Sequence, residues 1–227
     1  RPLSPGAAFA IPGSTARLCS DPYPRRSYMQ LLSSPASPFA RKCRVLLIET
    51  AQDDIEVRDV TASPMGGDAA LNAANPSGKI PALVRDEGPA IYDSRVICRF
   101  LDHRAQSGLY PENRLWEVLS LEANCDAVLE SALAITYEKR LRPENLWWPE
   151  WFDAQWTKIA RSLDALESRS MPMLQGPLTM GQIAVGCALE YLDLRHGDRD
   201  WRAGRDALAG WQAAFSARPA MAATAPS

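Results

Sequence analysis

At 227 residues, 46% hydrophobic and 23% charged, the chain can bury a sizeable core and has the composition of an ordinary soluble globular protein of one or two domains. Its 25 basic and 27 acidic residues leave a net charge of −2, which argues neither for nor against nucleic acid; no basic run of five or more appears, and no nucleic-acid partner is expected. No apolar stretch approaches the roughly 18 residues that a membrane span needs, and no membrane partner is expected.

Residues 1–27 carry Pro2, Pro5, Pro12, Pro22 and Pro24 and no sustained apolar period. They read as a dispensable leader or upstream read-in without packed structure, the regular chain starting near Met29. Tyr28–Leu32 reads as a strand. Ser37 precedes Pro38, the order preferred at a helix N-cap and first turn, and a helix is expected to about Thr50. Ile55–Val60 alternates apolar and charged residues as a half-buried strand does, and Asp68–Ala74 is a short helix. Ile80–Val84 and Ala90–Tyr92 read as two further strands, and a helix from Ser94 is expected to bury Val96, Ile97, Phe100 and Leu101. The order β-α-β-α-β-β-α predicts a four-stranded mixed sheet with three helices over 29–104.

After a Gly- and Pro-containing linker at 105–113, strand patterns stop. Leu115, Val118, Leu121, Cys125, Val128, Leu129, Ala132 and Ile135 stripe one long helix, and Phe152, Trp156, Ile159, Leu163 and Leu166 stripe the next. Thr179-Met-Gly-Gln182 is a capping box opening a helix, and Leu208, Trp211 and Phe215 mark a last one. An all-helical bundle domain over 114–220 follows. The five cysteines lie far apart without a C-x-x-C, as reduced thiols would, and Cys43, Cys98, Cys125 and Cys187 fall on apolar helix faces. The two histidines lie near no second ligand type, so no metal site is expected.

Chemistry concentrates in two places. Pro81 cannot donate to a sheet ladder and belongs at a strand start or edge; a cis Ile80–Pro81 bond would turn the Ile80 N–H and C=O outward to pair with an extended ligand. About a dozen residues later, a helix starting at Asp93-Ser94 offers N–H donors that suit a carboxylate, although both residues are equally competent as simple N-caps. These are two halves of a small-peptide site. Lys79 is either a solvated loop charge or a contact for a ligand carboxylate. Trp147-Trp148-Pro-Glu-Trp151-Phe152 is expected to pack its loop onto the bundle; its other reading is a wall for apolar planar substrates.

The segments Ser34-Pro-Ala-Ser-Pro-Phe-Ala-Arg-Lys42, Asn75-Pro-Ser-Gly-Lys-Ile-Pro-Ala-Leu83, Tyr92-Asp-Ser-Arg-Val-Ile97 and the capped helix Thr179–Leu192, with Arg218-Pro219 near the end, resemble in order and spacing the cytosolic glutathione S-transferase superfamily, in its serine-type bacterial form. The resemblance covers Met29 to about Pro226. It implies an α/β thioredoxin-like N-terminal domain that binds glutathione, an all-α C-terminal domain, a homodimer and a cytoplasmic, detoxifying enzyme. Glutathione is the co-substrate, and its thiolate attacks a small hydrophobic electrophile. Ser37 stands at the family's activating position, with Ser34 as the alternative, and Phe39, Lys79, Ile80, Pro81, Asp93 and Ser94 as glutathione-binding residues. A hydroxyl at a helix N-cap can face a bound thiol where N–H groups and the macrodipole favour thiolate, though Ser37 could merely cap the helix. Two departures stand out: Asp93 replaces the family's usual Glu, and Gln182 replaces the usual Asp. Competing expectations are a non-catalytic binding or regulatory protein, an isomerase, or a thiol reductase, which lacks a cysteine at position 37.

Overall fold

The computed structural model describes residues 28–226; the expectation for 1–27 lies outside them. Strand β1 (Met29–Ser33) leads into helix α1 (Pro38–Glu49), which returns to β2 (Ile55–Asp59) in parallel, Met29 facing Ile55. Helix α2 (Ala69–Ala74) then leads to β3 (Ala82–Arg85), antiparallel to β1 with Met29 opposite Arg85, so the sheet order is β2-β1-β3. Helix α3 (Ser94–Ala105) closes this half and packs on α1.

The sheet is three-stranded rather than four-stranded. Of the expected last strand only Ile91 pairs, exchanging N–H···O bonds of 2.9 Å in both directions with Leu83. Pro89 brings no N–H to the ladder, and by Tyr92 the chain is already turning into the Asp93 cap of α3, which leaves one residue to bridge. Two burial expectations also change. Val96 is 52% exposed, and the inward face of α3 is Ile97, Cys98 and Leu101. Val57, on the edge strand β2, is 43% exposed.

The second half is helical: α4 (Leu115–Leu141), α5 (Pro149–Ala165), α6 (Met171–Leu174), α7 (Met180–His196), α8 (Asp206–Ser216) and α9 (Pro219–Ala223). The periodic stripes identified in α4 and α5 form its core, where Leu121, Cys125, Val128, Leu129, Ala132 and Ile135 meet Phe152, Ile159 and Leu163 around α7. Helix α7 is buried nearly all round, from Met180 to Leu192. A second core cluster joins Leu31, Leu46, Leu83 and Ile97 of the first half to Met180, Ile183, Cys187 and Met221 of the second, so the halves share apolar packing. Trp147 and Trp151 lie edge-on to Phe152 against the bundle, the packing role expected for that tract, whereas Trp148 is exposed.

Candidate active site

A cleft of about 1270 Å³ runs between the α/β half and the faces of α4 and α7. Ser34, Ser37, Phe39, Lys79, Ile80, Pro81, Asp93 and Ser94 all line it. Residues separated by up to 60 positions in sequence thus share one cavity.

Ser37 is the N-cap of α1, in extended conformation (φ −88°, ψ 116°), and its Oγ accepts the Ala40 N–H at 3.3 Å. Its own N–H donates to Ser34 C=O at 3.0 Å, a turn that sets Ser34 and Ser37 at the mouth of the same helix. Pro38 follows at the first helical position, where its missing N–H costs nothing. The hydroxyl therefore uses its oxygen to cap the helix and keeps its proton for another acceptor.

On the opposite lip, buried Asn75 organises the loop before β3. Its Nδ2 donates to Lys79 C=O at 2.7 Å, and its Oδ1 accepts from Ser77 N–H at 3.1 Å and from the Ser77 hydroxyl at 2.9 Å. Gly78 takes φ +63°, the left-handed turn that a side chain would oppose. The Ile80–Pro81 bond is cis, as expected, and so is Tyr92–Asp93. Among the described residues, neither the N–H nor the C=O of Ile80 is engaged by a hydrogen bond.

Asp93 caps α3 through Oδ1, which accepts the Arg95 N–H at 3.0 Å, while Oδ2 pairs with the Arg95 guanidinium at 2.9 Å. Burial works to raise this carboxyl, but the hydrogen bond and charge of Arg95, helped by Lys42, hold it below the usual carboxylate range. Ser94, almost fully buried, forms the first residue of the helix behind it.

Beneath this lip lies a charge network that sequence reasoning did not assign. Lys42 of α1 is fully buried and holds Glu122 at 3.0 Å and Asp126 at 2.6 Å, both on α4. Burial alone would lower the ammonium; the two carboxylates outweigh it and keep the lysine charged well above its ordinary range. Tyr110 donates to the other oxygen of Glu122 at 2.8 Å, and Arg95 approaches Asp126 at 3.7 Å. One α1 turn position earlier, Arg41 reaches Glu190 of α7 at 2.6 Å and Met221 C=O at 3.0 Å. The available signal was a pair of adjacent cations between Ala40 and Cys43, together with acids inside the apolar stripe of α4; each charge implied a buried partner. Cys43, Cys98, Cys125 and Cys187 are buried, and burial pushes the Cys187 thiol up to about 12, which makes a poor nucleophile.

An α/β half bearing a helix-capping serine and a hydrogen-bonded loop thus meets a helical half across one cleft. Residues 36–104 match the family model "Glutathione S-transferase, N-terminal domain" and 149–214 its C-terminal counterpart. The chain belongs to the glutathione S-transferase family. A glutathione transferase family member from Pseudomonas fluorescens Pf-5, solved with bound glutathione, is 41% identical with a TM-score of 0.85, covering 88% of this chain and 99% of that one. A second structure from that organism, with bound S-(propanoic acid)-glutathione, is 38% identical with a TM-score of 0.81 over the same shares. The "Uncharacterized GST-like protein YibF" of Escherichia coli (strain K12) is 29% identical over 203 residues, 87% of this chain and 98% of its own length.

Proposed function

We propose that this family member is a serine-type glutathione transferase. Glutathione lies along the cleft, its cysteinyl backbone paired with Ile80 and its γ-glutamyl end at Asp93 and Ser94, while Lys79 meets a carboxylate and Phe39 and Pro81 bracket the chain. The Ser37 hydroxyl donates to the sulfur. The thiolate attacks an electrophilic carbon held against α4 and α7, a C–S bond forms, and the leaving group departs with its electron pair. Residues 29–104 serve as the glutathione domain and 114–220 as the acceptor domain, in a homodimer that works in the cytoplasm to detoxify electrophiles.

The observation that carries this reading is the state of Ser37: its oxygen accepts from Ala40 N–H and its proton remains to be given, at a helix N-terminus that favours negative charge. A free thiol titrates near about 8.5, so about two units of lowering, each about 1.4 kcal/mol, yields mostly thiolate at neutral pH. One hydrogen bond to a charged sulfur contributes roughly 1.5–3 kcal/mol and the dipole less than about 1 kcal/mol, which is of the size needed. The bound ligands of the Pseudomonas fluorescens relatives, glutathione and a glutathione thioether, support the same chemistry here. The reductase alternative finds no support, since every described cysteine is buried.

The test is the pH–rate profile of Ser37→Ala beside a glutathione binding isotherm. We expect the thiol to titrate roughly one to two units higher, with affinity little changed, because Ile80, Asp93 and Ser94 still hold the tripeptide. An unmoved profile removes the role from Ser37; a loss in Ser34→Ala instead gives it to Ser34.

A further inference from the structure

Opposite Ser37, the wall of the cleft is built from one face of α4 and the end of α7. Asp126, Glu130, Leu133, Tyr137 and Arg140 follow one another at intervals of three and four residues, so all five line the cavity. Charge changes along this stripe. Its inner end is acidic, next to Lys42 and Arg95. Its outer end is cationic: Arg140 is joined by Arg195, one helical turn after Tyr191 on α7.

Both guanidinium groups line the cleft, where Tyr191 also lies. Burial pushes the Tyr191 hydroxyl up, and the Thr136 hydrogen bond, with the charges of Arg195 and Arg140, pulls it back. The acids that lie nearest in sequence are committed elsewhere, Glu138 to Arg142 at 2.5 Å, Asp193 to Arg202 at 2.6 Å and Asp198 to Lys139 at 3.9 Å. Glu130 stands about 15 Å from Arg140 along the helix, at about 1.5 Å per residue. Among the described residues neither guanidinium makes a hydrogen bond or ion pair, whereas those of Arg41, Arg95, Arg104, Arg202, Arg205 and Arg218 each do. Two like charges lining one cleft, without an acid of their own, favour an anion there, and a planar fork of N–H donors suits a carboxylate.

From this we infer that the electrophile carries a carboxylate, held by Arg140 and Arg195 while its reactive carbon faces the sulfur near Ser37. The inference rests on the transferase reading for its chemistry but not for its recognition. It also revises the expectation of a purely hydrophobic acceptor: Leu133 and the rings of Tyr137 and Tyr191 supply the apolar part, and the arginines an anionic end. In a halide-bearing aryl carboxylate, the thiolate forms the C–S bond, the C–Cl bond breaks with its pair leaving as chloride, and the carboxylate stays unchanged.

The experiment separates recognition from turnover. By calorimetry, the whole chain should bind S-(2-carboxyethyl)glutathione at least about fivefold more tightly than S-propylglutathione, the margin shrinking with added salt. In Arg140→Gln/Arg195→Gln, with circular dichroism confirming the fold, that ratio should collapse towards one. Equal affinities in the unaltered protein overturn the inference, as does a preference that survives the double substitution. In parallel, 4-chloro-3-nitrobenzoate and 4-chloro-3-nitrobenzamide are offered as acceptors, each rate divided by its uncatalysed rate. No turnover of either, with the carboxylate conjugate still preferred, defeats the transferase reading and leaves the anion site standing. Turnover of both without preference does the reverse.

Discussion

His196 shows how burial of one side chain sets a pH dependence. It is 1% exposed, with Nε2 at 3.0 Å from Ala132 C=O and 3.3 Å from Thr136 Oγ1, so the neutral ring donates from that nitrogen. Burial lowers its pKa below the ordinary value of about 6.5. The unfolded chain then takes up a proton before the folded one does, so the stabilisation is present above about pH 6.5 and is lost as pH falls through the folded value. The melting temperature between about pH 7 and pH 5.5 should fall more steeply in the native chain than in His196→Asn; equal slopes would dismiss the effect. Lys42 presents the opposite sign, a raised pKa whose contribution is complete at neutral pH and fades only above the ordinary lysine range. Its test is substitution. Lys42→Met leaves Glu122 and Asp126 buried without their cation, which costs about 3–5 kcal/mol, whereas adding Glu122→Gln and Asp126→Asn should recover part of that loss. Urea midpoints read both, and a single variant as stable as the parent contradicts the network's role.

At the scale of elements, the opening of α7 explains why its capping box ends in Gln rather than Asp. Gln182 accepts the Thr179 N–H through Oε1 at 2.7 Å, and its Nε2 donates to Pro177 C=O at 2.8 Å, Gly176 C=O at 3.2 Å and Met173 C=O at 3.3 Å. A longer side chain with an amide both caps the helix and ties down the loop before it. Gln182→Glu keeps the acceptor but sets a second carboxylate oxygen against three carbonyls, so it should cost more than the roughly 1–3 kcal/mol of Gln182→Ala. Comparison of their denaturation midpoints decides it, and Gln182→Glu being the milder change would refute the account. The box itself was legible in sequence because its signal is local, and so were Ser37-Pro38 and the stripes of α4 and α5. The fourth strand was misread because an apolar trio after Gly88-Pro89 has the strand pattern whether or not a neighbour pairs with it. The roles of Arg41, Lys42 and Asn75 were illegible for different reasons. The partners of the first two lie 80 to 180 residues away, and Asn75 acts within a loop whose turns carry no period.

At the scale of the molecule, the two halves are held by charge as well as by apolar packing. Helix α1 touches α4, α7 and α9, and Arg218 after α8 pairs with Glu49 at the end of α1 at 2.8 Å. Because the cleft lies along this junction, a change there moves Ser37 relative to α4 and, with the glutathione contacts proposed above all in the first half, should alter acceptor turnover more than glutathione affinity. Exposed apolar residues gather near the starts of α3 and α4. Trp116 near the start of α4 is 75% exposed, and Tyr92 and Val96 at the start of α3 are 43% and 52% exposed. A tryptophan so placed on a long helix is the kind of side chain that a second copy of the chain would cover, and aromatic residues are enriched where such interfaces desolvate. A stable pairing needs roughly 1,200–2,000 Å² of buried surface, more than one ring supplies, so these α3 and α4 residues should be buried together. Sedimentation equilibrium at micromolar concentration should give twice the chain mass, and Trp116→Glu should shift the population towards monomer by setting an unpaired charge in the contact. A monomer in the unaltered chain rejects the dimer outright. A dimer indifferent to Trp116→Glu moves the interface away from α4.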